Sequence, residues 1–205
     1  MESKSFHPPI SSISALLAIA FFCVLVMVAA LLYPGPYSPL GNFISDLGNS
    51  VHNPAGAKVF DVACVISGAC TILFFAGLNR WRLDDQWKLT VTRLLGGFSG
   101  AALMLIGVFS EDYGKLHSII ASIFFISLII AIISTDLVLR GHRSFMRPIG
   151  YYGAAVGIFS VIYIGSYLMG MPIIIVEWVT VLGALGWMGL MAYNMLRLPG
   201  SAAIP

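Results

Sequence analysis

SIIASIFFISLIIAIISTDLVL, residues 118–139, decides the fold class. At a rise of ~1.5 Å per residue, a helix of this length crosses the ~30 Å hydrocarbon core of a bilayer. Inside lipid every backbone polar group needs an internal partner, so an apolar run of this length must be helical. The period-two alternation of a membrane β-strand is absent. Working outward, five further apolar runs occupy 13–33, 59–78, 94–109, 149–169 and 173–196, the third being the shortest. At 59% hydrophobic, 10% charged and a mean hydropathy of +0.92, the chain cannot present an ordinary charged surface to water. The expected fold class is therefore all-α: a polytopic membrane protein with six transmembrane helices in a single bundle. The spans leave no room for a soluble domain. One domain covers 1–197, and a tail at 198–205 is expected to be disordered.

The basic residues fall between alternate runs. Arg80, Arg82, Lys88 and Arg93 follow the second run, and Arg140, Arg143 and Arg147 follow the fourth. With Lys4 and Arg197, nine of the eleven Lys and Arg share one side, against Lys58 and Lys115 on the other. The positive-inside rule then places both termini in the cytoplasm and predicts a multi-pass protein of the cell membrane. The net charge of +2 is explained by topology and gives no argument for nucleic acid. The first run, about twenty residues long and closed by Tyr33-Pro34-Gly35-Pro36, reads as an uncleaved anchor, not a signal peptide. Cys23, Cys64 and Cys70 lie within spans and suggest small hydrophobes, with no disulfide framework.

Asn53-Pro54 reads as the cap and first position of the second helix, Pro172 as the start of the sixth, and Arg147-Pro148 as the start of the fifth. These starts place Asp61 about two turns into the second helix and Glu177 more than one turn into the sixth. Gly96, Gly100 and Gly107, then Gly153, Gly157 and Gly165, and Ser118 with Ser122, are spaced for close helix contacts. Such stripes fit packing within one chain as well as a dimer seam, so the oligomeric state stays open.

Candidate chemistry gathers on the less basic side. Asp46, Asp61, Glu111, Asp112, His117 and Glu177 all map to the outward face or just beneath it. A carboxylate in a span is costly unless it faces the bundle or water, so Asp61 and Glu177 are the sharpest candidates for a general acid or base. The competing role is to complement a helix N-terminus or to pair with a nearby Lys. Carboxylates with a neutral imidazole also suit a divalent cation, although no HExxH or HxH spacing is present. Tyr163 and Tyr167, one turn apart, are candidates to line the same pocket, with core packing as the alternative. Asp136 is expected to pair with Arg140 at i+4. Tyr33, Trp81, Trp87, Tyr151, Tyr152 and Trp178 read as interfacial belts.

The stretch Asn42-Phe43-Ile44-Ser45-Asp46-Leu47-Gly48, with Asn53-Pro54 and Phe60 after it, resembles the prokaryotic domain-of-unknown-function family nine-nine-eight. There a similar loop follows the first of six helices. Gly107-Val108-Phe109-Ser110-Glu111, followed by His117 and Phe124-Phe125, resembles that family's second motif, with Ser110 in place of the usual Pro. The loop is also similar to that of the eukaryotic Frag/DRAM/Sfk superfamily, six-helix proteins linked to glycolipid-anchor remodelling, lipid asymmetry and autophagy. The resemblance marks Asn42, Ser45, Asp46, Gly48, Glu111 and His117 and implies the six-helix fold, but no settled activity. Locally, Ser45 and Asp46 are expected to form a turn with Gly48 at positive φ, folding the loop over the bundle mouth.

Three functions compete. A membrane enzyme would act on a lipid or isoprenoid-like substrate by acid/base chemistry, with Asn42 and Ser45 among its substrate contacts. A non-enzymatic protein would bind or organise membrane lipid in the same pocket. A small transporter ranks third, because no internal repeat or midplane break appears.

Overall fold

The computed structural model describes residues 9–198, and each apolar run is a helix. These are α1 (Ile10–Leu31), α2 (Ala57–Ala76), α3 (Gln86–Val108), α4 (Lys115–Leu139), α5 (Arg147–Leu168) and α6 (Ile174–Leu196). All six are long and apolar enough to cross a membrane, and no strand occurs among the described residues. Lys4, His7 and the expected tail, apart from Leu198, lie outside the described residues.

Helix starts depart from expectation where polarity, not geometry, set the reading. α3 begins at Gln86, because its first two turns carry Trp87, Lys88 and Arg93, which an apolar window excludes but a helix tolerates at an interface. Asn53 does cap: its Oδ1 accepts the Gly56 N–H at 3.1 Å. Regular helix nevertheless starts at Ala57, so Asp61 lies one turn into α2, not two. Glu177 falls in the first turn of α6 for the same reason. The buried Asn53 amide also donates to the carbonyls of Ala29 (3.1 Å) and Leu47 (3.0 Å), tying the end of α1, the first loop and α2 together.

Sequential helices pack side by side, and α6 returns to α1 to close a ring. The closure is polar: the Ser12 hydroxyl donates to the Ala192 carbonyl at 3.0 Å, and the Ser11 hydroxyl to the Met195 sulfur at 3.1 Å. Between α2 and α3 the backbones touch, since a Cβ on Gly68 would stand 2.6 Å from the Gly100 carbonyl oxygen. Lipid provides no hydrophobic drive between helices, so this close approach is what holds the pair. Gly153 and Gly157 perform the same office for α5, against Asp136, Ile129 and Ile133 of α4.

Other expected contacts are corrected. Gly165 faces open space, and Ser118 and Ser122 bond back to carbonyls of their own helix while lining a groove. Asp136 forms no ion pair with Arg140; its Oδ1 accepts the Trp187 indole N–H at 3.1 Å, because the carboxyl turns into the bundle. Trp81 is 1% exposed and packs edge-on to His142 and Phe145, so it is a core residue, not a belt residue.

Candidate functional site

The loop after α1 folds back across the end of the bundle and is pinned at four points. The Phe43 N–H donates to Asp46 Oδ2 at 3.0 Å, closing a 3-10 turn at Ser45–Gly48 from below. The Tyr37 hydroxyl donates to the Phe43 carbonyl at 2.8 Å. The Trp178 indole donates to the Asn42 carbonyl at 2.9 Å, so this expected belt residue is a clamp. Beside it the Ile44 N–H donates to Glu177 Oε2 at 2.9 Å, joining residues 133 positions apart.

Gly48 is not at positive φ; among the described residues only Gly35, Gly114 and Gly170 are. Its role is room. A Cβ there would lie 2.8 Å from the Phe60 ring and 3.5 Å from Asp61 Oδ1, so the turn rests directly on α2. Asp61 beneath it is 6% exposed and pairs with Lys58 at 2.9 Å, while its Oδ1 is buried without a partner.

The second motif supports the loop from the other side. Asp112 Oδ1 accepts the Ser50 N–H at 2.8 Å, and Ser110 donates to Oδ2 at 3.4 Å. Burial is the largest single influence and opposes the Asp112 charge, but the Ser50 and Ser110 donors and Lys58 together outweigh it and hold the carboxyl below its usual range. Glu111 behaves oppositely. Burial first, then the nearby Asp46 carboxylate, push its carboxyl up to about 7, against a smaller pull from Asn49. Its Oε2 is buried without a partner. His117 Nδ1 lies 2.9 Å from the Phe109 carbonyl, which can only accept, so the proton is on Nδ1 and Nε2 is left for a ligand.

Two cavities meet at His117 and Glu177. A groove of about 300 Å³ runs between the halves of α4 and α5 nearest the folded-over loop, lined by Glu111, Ser118, Ser122, Tyr163 and Tyr167 besides those two. Leu168 and Ile126, which also line it, are exposed. Behind it a chamber of about 60 Å³ lies at the centre of the ring, walled by Phe22, Phe60, Phe124 and Met188. Ser45, Ala121 and Phe125 border both.

The structure thus brings Glu111, His117, Glu177, Ser45, Tyr163 and Tyr167 onto one groove. Asn42, Asp46, Asp61 and Asp112 stand outside both cavities; Asn42, Asp46 and Asp112 hold the loop, and Asp61 lies beneath it paired with Lys58. Among the described residues no group of three or more His, Cys, Asp or Glu side chains is placed to hold a metal ion. Ser118 and Ser122 escaped sequence reading because a small residue on a helix signals close packing and cavity lining alike. Trp178 was readable as a clamp only with its distant partner in view.

No curated protein and no solved structure matches the chain. One family model does, over residues 16–194, which include both loop motifs, α2 to α5 in full and most of α1 and α6. The chain therefore belongs to the family described as Protein of unknown function (DUF998).

Proposed function

We propose that the protein binds one lipid-like amphiphile in its outward half, with both termini in the cytoplasm. The ligand's polar end sits among Glu111, His117 and Glu177, and its apolar body lies in the α4–α5 groove. The observation that carries this reading is the continuity of the groove, whose charged and imidazole groups gather at Glu111, His117 and Glu177, with an apolar chamber through His117, Ala121 and Glu177. At about 300 Å³ the groove is at the lower end of ligand-site volumes. The chamber, about 60 Å³, admits only the end of a chain. The exposed apolar Leu168 and Ile126 on the groove's wall suit a ligand that arrives from the bilayer.

The test is native mass spectrometry of the purified full chain. Wild type is expected to retain one lipid-like molecule per chain. Ala121→Trp, which fills the shared wall, should lose it without a fall in helical content. Undiminished retention by that variant would remove the site from this groove.

A second reading, acid/base chemistry on the bound molecule, rests on a different observation. Glu111, with its carboxyl near 7, and the free His117 Nε2 line the same groove, an arrangement suited to passing a proton at neutral pH.

A further inference from the structure

A separate groove of about 480 Å³ follows the α4–α5 seam at the opposite, basic end of the molecule. On α4 it is lined by Ile133, Leu137 and Arg140, whose spacing puts them on one stripe. On α5, Arg147, Tyr151 and Ala154 repeat the pattern. Each stripe runs from a guanidinium at the end of the bundle to an aliphatic wall deeper in the span. The ion pairs among the described residues are Lys58–Asp61 and Lys88–Asp85, so Arg140 and Arg147 have no carboxylate partner. Asp136 borders the groove, but its oxygens turn inward: Oδ1 takes the Trp187 N–H, and Oδ2 is buried against Gly153. The groove therefore presents two positive charges at one end and a hydrocarbon trough below them.

We propose that this groove binds one anionic phospholipid from the leaflet bordering the basic face. The phosphate lies between Arg140 and Arg147, and one acyl chain follows Ile133, Leu137 and Ala154. Guanidinium forks match phosphate oxygens, and basic pockets between membrane helices are suited to anionic head groups. Arginines that merely reached for water would need no trough at all. The trough is what commits the occupant to a phospholipid over a free anion.

The experiment uses the full chain in neutral detergent, offered phosphatidylglycerol, phosphatidylcholine or inorganic phosphate, and reads bound molecules by native mass spectrometry. Wild type should retain one phosphatidylglycerol at least tenfold more than phosphatidylcholine, and inorganic phosphate should not displace it. Arg140→Gln combined with Arg147→Gln should abolish that preference. Arg82→Gln combined with Arg143→Gln, an equal loss of charge outside the groove, should preserve it. Ala154→Trp keeps both arginines but fills the trough, and should also lose the lipid. Helical content and melting temperature are read for each variant. Equal retention of the two lipids by wild type overturns the proposal without any variant. So does an equal loss in the Arg82 and Arg143 pair, undiminished retention by a folded Ala154→Trp, or displacement by inorganic phosphate.

Discussion

Glu111 shows how much a single carboxyl can be governed by its surroundings. Its ordinary value is near 4.5, and in the folded chain burial and the Asp46 charge lift it to about 7. The folded state then holds a proton that the unfolded state has released, so stability falls as pH rises between those values. The cost is complete above the folded value. Glu111→Gln removes the titration. The variant should melt several degrees above wild type at pH 8 in detergent and close to it at pH 4.5, as differential scanning would show. An unchanged gap across that range would mean that Glu111 is not buried as described. Little of this was legible in the sequence: Glu111 could be placed on the outward side, but its neighbour Asp46 lies 65 positions earlier, across two helices. The Lys58–Asp61 pair, by contrast, was open to sequence reading, because the two residues lie three apart on one helix, although the same kind of spacing did not bring Asp136 and Arg140 together.

Individual helices were the most legible objects, since an apolar run in lipid has one backbone solution. The contacts between them were less so, and α3 shows why. Gly96, Gly97 and Gly100 are alike in sequence, yet Gly100 meets the backbone of α2 while Gly97 faces open space. Spacing identifies a small-residue stripe, but rotation of the helix decides which glycine is used. Opposite outcomes follow for one substitution. Gly100→Ala would put its methyl 2.8 Å from the Gly68 carbonyl oxygen, a backbone atom that cannot step aside, and should cost about 1–3 kcal/mol. Gly97→Ala relieves backbone entropy in open space and should be neutral or stabilising by up to about 1 kcal/mol. Parallel thermal melts of the two variants decide it; similar destabilisation would show that α3 is rotated.

At the scale of the molecule, the ring has two unlike ends. One carries Asp46, Glu111, Asp112 and the folded-over loop; the other carries Arg80, Arg82, Arg140, Arg143 and Arg147. That polarity predicts which end faces the cytoplasm. With Cys23, Cys64 and Cys70 replaced, a cysteine at the exposed Ser50 should react with an impermeant thiol reagent on intact cells. A cysteine at the exposed Asp84 should react only after permeabilisation, and the reverse pattern would invert the orientation.

The bond from the Ile44 N–H to Glu177, with the Trp178 clamp beside it, has a meaning for biogenesis. A ribosome adding ~5–20 residues per second takes roughly 7–27 s to reach Glu177 after Ile44 has been made. Throughout that interval the first loop has emerged without its anchor, and α1 has no sixth helix to complete the circle. The groove beside Glu177 is therefore completed only once α6 has been made. A chain cut short before α6 would possess most of the groove's walls and a loop still held by Asn53 and Asp112, but without its ties to Glu177 and Trp178.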